Sequence, residues 1–70
     1  MKKQIKNYDV IFNDDNNSNS KGMNGTKKEC RQYIKNYNGT NESYFEDYKG
    51  GTVSIICNET NETVYYTTVK

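Results

Sequence analysis

The sequence predicts a small α+β domain, in which one helix packs on one face of a three-stranded sheet in the order β-α-β-β. One helix signal lies near the middle of the chain, one β-rich run precedes it and two follow it. Seventy residues predict a single domain, 1–70. Hydrophobic residues make up only 31%, but the 13% of aromatic residues and the absence of proline favour a thin folded core over disorder.

The first predicted strand is Tyr8–Phe12, with a start as early as Gln4. Val10 and Phe12 share the face of Tyr8, because side chains alternate along a strand. The next segment, Asn13–Thr26, is rich in Asn, Asp and Gly. We predict a long strand-to-helix loop there, with Asx side chains bonded to their own backbone. Its length exceeds that of a usual connection, which also fits a recognition loop.

The loop resembles two kinds of ligand site, and its sequence matches neither of them fully. Asp15, Asn17 and Asn19 match the first positions of an EF-hand, but Ser20 replaces its Gly and Thr26 its bidentate Glu. Backbone amides before the helix could hold a phosphate, yet the spacing of a P-loop is absent. The sequence therefore predicts no metal site and no cofactor.

A helix is predicted over Lys27–Tyr37. Thr26 and Glu29 have the spacing of a capping box, and Asn38-Gly39 is a left-handed stop signal. The helical spacing i, i+3, i+4, i+7 gives one apolar stripe, formed by Cys30, Tyr33, Ile34 and Tyr37. This stripe predicts the face that packs on the sheet.

Three segments complete the fold. A short helical turn or ordered loop is predicted where aromatic residues cluster, at Tyr44, Phe45 and Tyr48. Two strands follow, Thr52–Asn58 and Thr63–Val69, and the hairpin loop Glu59–Glu62 joins them.

The expected register of this hairpin pairs Asn58 with Thr63. Cys57 then lies opposite Val64, Ile55 opposite Tyr66, and Val53 opposite Thr68. These residues would share the core face with Val10 and Phe12. The uncovered face would hold an apolar patch that suits a partner or a homodimer, formed by Ile11, Ile56, Tyr65 and Val69. A slip of one residue would exchange the two faces.

Cys30 and Cys57 should both point inward as free thiols, with a disulfide between them as the alternative. The chain has no His, so we expect no enzyme. The net charge of +1 gives no overall attraction to nucleic acid or membrane. The chain shows neither a signal peptide nor an apolar run long enough to span a membrane, so we expect a cytoplasmic protein.

Two surfaces are candidate binding sites. The first is the acidic-aromatic turn, residues 42–48, which combines carboxylates with rigid rings and suits a cationic protein partner such as a nuclease or a nucleoprotein complex. Its predicted contact residues, with two from the open sheet face, are Glu42, Tyr44, Phe45, Glu46, Asp47, Tyr48, Ile56 and Tyr65. The alternative is nucleic-acid binding by a basic stripe on the helix, formed by Lys27, Lys28, Arg31 and Lys35.

Three stretches, YDVIFNDDNNSNSKG, NGTNESYFEDYKGGTVSI and CNETNETVY, resemble parts of small proteins, most of them uncharacterised, from low-GC Gram-positive bacteria and their mobile elements. The resemblance covers nearly the whole chain and carries no catalytic motif. It implies a non-enzymatic protein that inhibits a host defence protein in the bacterial cytoplasm, by analogy with anti-CRISPR proteins that block CRISPR effectors.

Overall fold

The computed structural model describes residues 7–14 and 19–70 as a four-stranded antiparallel sheet with two helices. The elements are β1 (Tyr8–Asn13), β2 (Ser20–Gly25), α1 (Lys27–Tyr37), α2 (Tyr44–Asp47), β3 (Thr52–Cys57) and β4 (Glu62–Thr68). The order of strands in the sheet is β2-β1-β3-β4. The α+β class is confirmed, but the sheet has one strand more than predicted. The proposed start at Gln4 and the EF-hand positions Asp15 and Asn17 lie outside the described residues.

The additional strand, β2, occupies the second half of the segment that we predicted as a loop. It pairs antiparallel with β1, so that Tyr8 lies opposite Gly25 and Phe12 opposite Ser20. The sequence of β2 is SKGMNG, which lacks β-branched and aromatic residues. Its strand conformation therefore depends on pairing with β1 and not on its own propensity.

Side-chain contacts explain why this weak sequence pairs where it does. Asn24 Nδ2 donates to Asp9 Oδ1 at 2.8 Å, and Lys21 Nζ lies 3.8 Å from the same oxygen. Gly22 packs directly under Phe12, since a Cβ at this glycine would lie 2.5 Å from Phe12 Cε1. The glycine thus brings the β2 backbone close to the fully buried ring of Phe12.

Helix α1 has the predicted bounds and the predicted cap. Thr26 Oγ1 accepts a hydrogen bond from the Glu29 N–H at 3.2 Å, and Glu29 Oε1 accepts one from the Thr26 N–H at 2.9 Å. Gly39 follows the helix with a φ of +95°, as expected for a left-handed stop. Of the predicted apolar stripe, Cys30 and Ile34 are buried, Tyr33 is half-buried and Tyr37 is 39% exposed.

The hairpin of β3 and β4 has a different register from the predicted one. Ile55 lies opposite Tyr65 and Cys57 opposite Glu62. The turn is residues 58–61, because Asn61 adopts a left-handed φ of 63° and its N–H donates to the Cys57 carbonyl at 2.6 Å. Asn accepts this conformation more readily than most residues, so the turn closes one residue earlier than predicted.

The earlier turn moves the pairing by two residues, which alone would leave the faces unchanged. A β-bulge follows, in which Val64 is the extra residue of β4 opposite Ile55 and Ile56, and this bulge exchanges the two faces of the rest of β4. Val64 and Tyr66, predicted to lie in the core, are 36% and 70% exposed. Tyr65, predicted on the open face, lies on the side covered by α1, and Val69 beyond the strand is buried. The core prediction was wrong for Val64, Tyr66 and Thr68. It is confirmed for five residues of β1 and β3, namely Val10, Phe12, Val53, Ile55 and Cys57.

Helix α1 crosses the covered face of the sheet from one corner to the opposite one. It begins directly after edge strand β2, and Cys30 Sγ donates to the Tyr8 carbonyl at the start of β1, at 3.6 Å. It ends beside the other edge strand, where Asn38 Nδ2 donates to the Thr68 carbonyl at 3.1 Å. Asn38 Oδ1 also accepts from the Lys70 N–H at 2.9 Å. A diagonal helix leaves one triangular area of sheet on each of its sides.

Helix α2 fills one of these two areas. Phe45 is fully buried and meets the ring of Phe12 edge to face, with centroids 4.8 Å apart. The hydroxyls of Tyr48 and Ser20 are hydrogen-bonded at 2.7 Å. Tyr33 of α1 also contacts Phe45, at 5.4 Å between centroids. The predicted helical turn is therefore confirmed, and its aromatic rings belong to the core.

Replacing Phe45 by Ala should lower the free energy of unfolding by about 3–5 kcal/mol, because it empties a fully buried site beneath α2. Tyr66→Ala is the matched control, since this ring is 70% exposed, and it should change stability by no more than about 0.5 kcal/mol. Urea denaturation followed by circular dichroism measures both values. Equal losses in the two variants would contradict the packing described for α2.

Candidate functional site

The other triangular area, between α1 and β4, is an open groove of about 830 Å³. Its floor is formed by Ile34, Tyr65 and Thr67. The side formed by α1 carries the whole basic stripe, Lys27, Lys28, Arg31 and Lys35, together with Gln32. One end of the groove is closed by Asn38 and Lys70, which are hydrogen-bonded to each other.

The groove concentrates positive charge. Among the described residues its lining contains no acidic side chain and five cationic ones, Lys27, Lys28, Arg31, Lys35 and Lys70. They are half of the ten Lys and Arg residues in a chain whose net charge is only +1. A concave surface lined by one sign of charge raises the local concentration of counter-ions. The groove is therefore a region of concentrated positive charge on a nearly neutral protein.

The spacing of the cations along α1 explains how they meet on one side. Lys27, Arg31 and Lys35 stand four residues apart and so follow one flank of the helix. Like charges at this spacing destabilise a helix by about 0.2–0.5 kcal/mol per pair. Lys27 and Lys28 also oppose the helix dipole in the first turn. This arrangement costs the helix stability, which favours a role in binding over a role in folding.

An arginine and a tyrosine form a cation–π pair in the groove. Arg31 Cζ lies 4.8 Å from the centroid of the Tyr65 ring, which is cation–π distance. Arg31 is exposed and Tyr65 is half-buried, so the guanidinium covers the ring from the solvent side. Sequence reasoning placed Arg31 in the basic stripe, assigned Tyr65 to a partner surface on the open sheet face, and did not single out Lys70. The altered register of β4 and the hydrogen bonds of Asn38 bring Tyr65 and Lys70 to the groove.

In the acidic-aromatic turn the aromatic rings are buried or half-buried, whereas the carboxylates are exposed. Phe45 is fully buried and Tyr48 is 5% exposed, so neither ring is available to a partner in this fold. Tyr44 is half-buried, with its ring centroid 5.5 Å from that of Phe12. The exposed residues of the predicted contact set are the three carboxylates, Glu42, Glu46 and Asp47.

The last two predicted contact residues lie on different faces of the sheet. Ile56 is half-buried on the face that α1 does not cover, and Tyr65 belongs to the groove. The eight residues therefore do not form one continuous surface. A homodimer through the open sheet face stays a prediction.

Both cysteines are buried and free, as predicted. Burial raises the pKa of the Cys30 thiol, and the nearby carboxylates of Asp9 and Glu29 raise it further. Hydrogen bonds from Thr60 lower the pKa of the Cys57 thiol, which is 8% exposed. Cys57 therefore ionises at a lower pH than Cys30.

A thiol reagent should consequently react with Cys57 before Cys30. The thiolate is the reacting species, so at neutral pH the Cys30→Ser variant should be modified faster than the Cys57→Ser variant, by about tenfold or more. The rate of Cys30 modification should rise only at higher pH. Release of thionitrobenzoate from Ellman's reagent measures both rates, and faster modification of Cys30 would contradict this assignment.

No known protein family, curated protein or solved structure matches this chain. Neither helix within residues 7–14 and 19–70 has the length and apolar character needed to cross a bilayer. The functional interpretation accordingly starts from the shape and charge of the groove.

Proposed function

We propose that the chain binds nucleic acid, whose phosphodiester backbone lies along the groove between α1 and β4. The observation that supports this function is the convergence of five cationic side chains on one concave surface. Lys and Arg contacts to phosphates supply most of the sequence-independent affinity of nucleic-acid-binding proteins. The proposed activity is binding alone, without catalysis or a cofactor.

The length of the charged surface favours a polymer over a small anion. Lys27 and Lys35 are eight residues apart on α1, which corresponds to about 12 Å at 1.5 Å per residue. A single phosphate group would meet only part of this row. A nucleic-acid strand has a charge at each nucleotide and could meet the whole row.

The pair of Arg31 and Tyr65 favours a nucleic acid over an acidic peptide. Single-stranded nucleic acids are held by a basic groove that contains aromatic side chains, because every base has a π face. Carboxylate side chains would use the cations but would gain nothing from the cation–π pair. The groove combines both features on neighbouring residues.

Reversing two groove charges should abolish this binding. We expect Lys27→Glu/Arg31→Glu to weaken the binding of a fluorescein-labelled oligothymidylate by about 100-fold, because it removes phosphate contacts and adds repulsion. Wild-type affinity should fall with salt, with a logarithmic slope of about −0.7 for each phosphate contacted. Fluorescence anisotropy titrations at several salt concentrations measure both effects.

The control is Thr63→Glu/Tyr66→Glu, which adds two negative charges at exposed residues outside the groove lining. This variant should keep wild-type affinity within about fourfold, as expected for a long-range effect alone. Equal losses in both double variants would exclude the groove as the site. If the protein does not bind the oligonucleotide but binds polyglutamate, the partner is an acidic protein instead.

A second candidate function is inhibition of a host defence protein in the bacterial cytoplasm, such as a CRISPR effector. The exposed carboxylates of Glu46 and Asp47 favour it, because helix α2 holds them in place through the buried ring of Phe45. These carboxylates would contact Lys and Arg side chains with which the effector otherwise holds nucleic acid. This contact surface lies across α1 from the groove, so the two functions can be tested separately.

For this second function, Glu46→Lys/Asp47→Lys should abolish partner capture without lowering Tm, because both side chains are exposed. The control Glu59→Lys/Glu62→Lys makes the same charge change in and directly after the turn between β3 and β4, outside α2. Tagged proteins would be incubated with nuclease-treated lysate of a low-GC Gram-positive bacterium and their partners quantified by mass spectrometry. A partner retained equally by all forms would exclude this surface.

A further inference from the structure

We infer that the groove selects a single strand over a duplex, and that one base stacks on the Arg31 guanidinium, which lies over Tyr65. This inference rests on the proposed nucleic-acid binding. It specifies that the polymer is single-stranded. It also assigns different roles to the groove cations: Arg31 stacks on a base, and the others contact phosphates.

The geometry of the pair supports a stacking role for Arg31. Arg31 Cζ lies over the Tyr65 ring, 4.8 Å from its centroid, and the Arg31 side chain is exposed on the lining of the groove. Within the described residues Arg31 makes no ion pair with a carboxylate. Proteins that recognise unpaired bases stack them on guanidinium planes as well as on aromatic rings. Arg31 is thus pre-oriented for a flat ligand.

The depth of the groove supports the choice of a single strand. The floor residues Ile34, Tyr65 and Thr67 are buried or half-buried, whereas the cations of the α1 side are exposed. A single strand can place its phosphates on this cationic rim and its bases toward the floor. A duplex keeps its bases paired inside, and its backbone would contact the rim alone. Only an unpaired base can therefore use the cation–π pair.

Three probes of equal length separate stacking from charge. They are an oligothymidylate, an abasic oligonucleotide that keeps the phosphates without bases, and a duplex of the oligothymidylate with oligoadenylate. The wild-type protein should bind the oligothymidylate about 5- to 100-fold more tightly than the abasic strand, the range expected from stacking of one base. The duplex should bind no more tightly than the abasic strand.

Arg31→Lys keeps the charge and removes the planar group. It should weaken oligothymidylate binding by about fivefold or more and change abasic binding by less than about twofold. The control Lys35→Gln should weaken both probes equally, as expected for a phosphate contact. Tyr65→Leu should bind the two probes as Arg31→Lys does, and Tyr65→Phe should bind them as the wild type does. Circular dichroism would confirm that both Tyr65 variants remain folded.

Each outcome decides a different point. Equal binding of the oligothymidylate and the abasic strand, or an Arg31→Lys variant that binds like wild type, would overturn the stacking inference and leave the proposed function intact. Tightest binding of the duplex would overturn the selection of a single strand. If none of the three probes binds, the proposed function fails and the inference fails with it.

Discussion

The diagonal path of α1 across the sheet is the constraint on which the rest of the structure depends. The capping box of Thr26 and Glu29 starts the helix at the edge formed by β2, and the amide of Asn38 joins its end to the residues after β4. A helix about 16 Å long cannot cover a four-stranded sheet from this position. One side is completed by α2, and the other side remains concave.

The two sides of α1 differ in chemical character. On one side, aromatic rings from β1 and α2 supply much of the core in a chain with few aliphatic residues. On the other side, the helix carries exposed cations, and the repulsion between those four residues apart weakens the helix. A small domain with a thin core tolerates this cost only when the buried side is well packed.

Local signals in the sequence were sufficient for some parts of this structure and not for others. The bounds of α1 were predictable because the capping box begins at Thr26 and the apolar stripe that follows it ends at Tyr37. Strand β2 was not, because its sequence lacks any alternation and its conformation depends on pairing with β1. The register of β4 depends on the left-handed φ of Asn61 and on the β-bulge at Val64, and neither has a clear signal in the sequence. Four groove cations were visible as a helical stripe, whereas Tyr65 and Lys70 reach the groove through tertiary structure.

The separation of charge across α1 also has a consequence for the behaviour of the protein at high concentration. Exposed carboxylates on α2 and cations in the groove place opposite charges on the two sides of α1, in a protein whose pI is about 7.7. Near neutral pH little net repulsion keeps copies apart. At about 0.01 M salt the Debye length is about 30 Å, so the acidic side of one copy attracts the basic side of the next. Such head-to-tail contacts would lower the solubility of the protein in dilute buffer, and added salt would screen them.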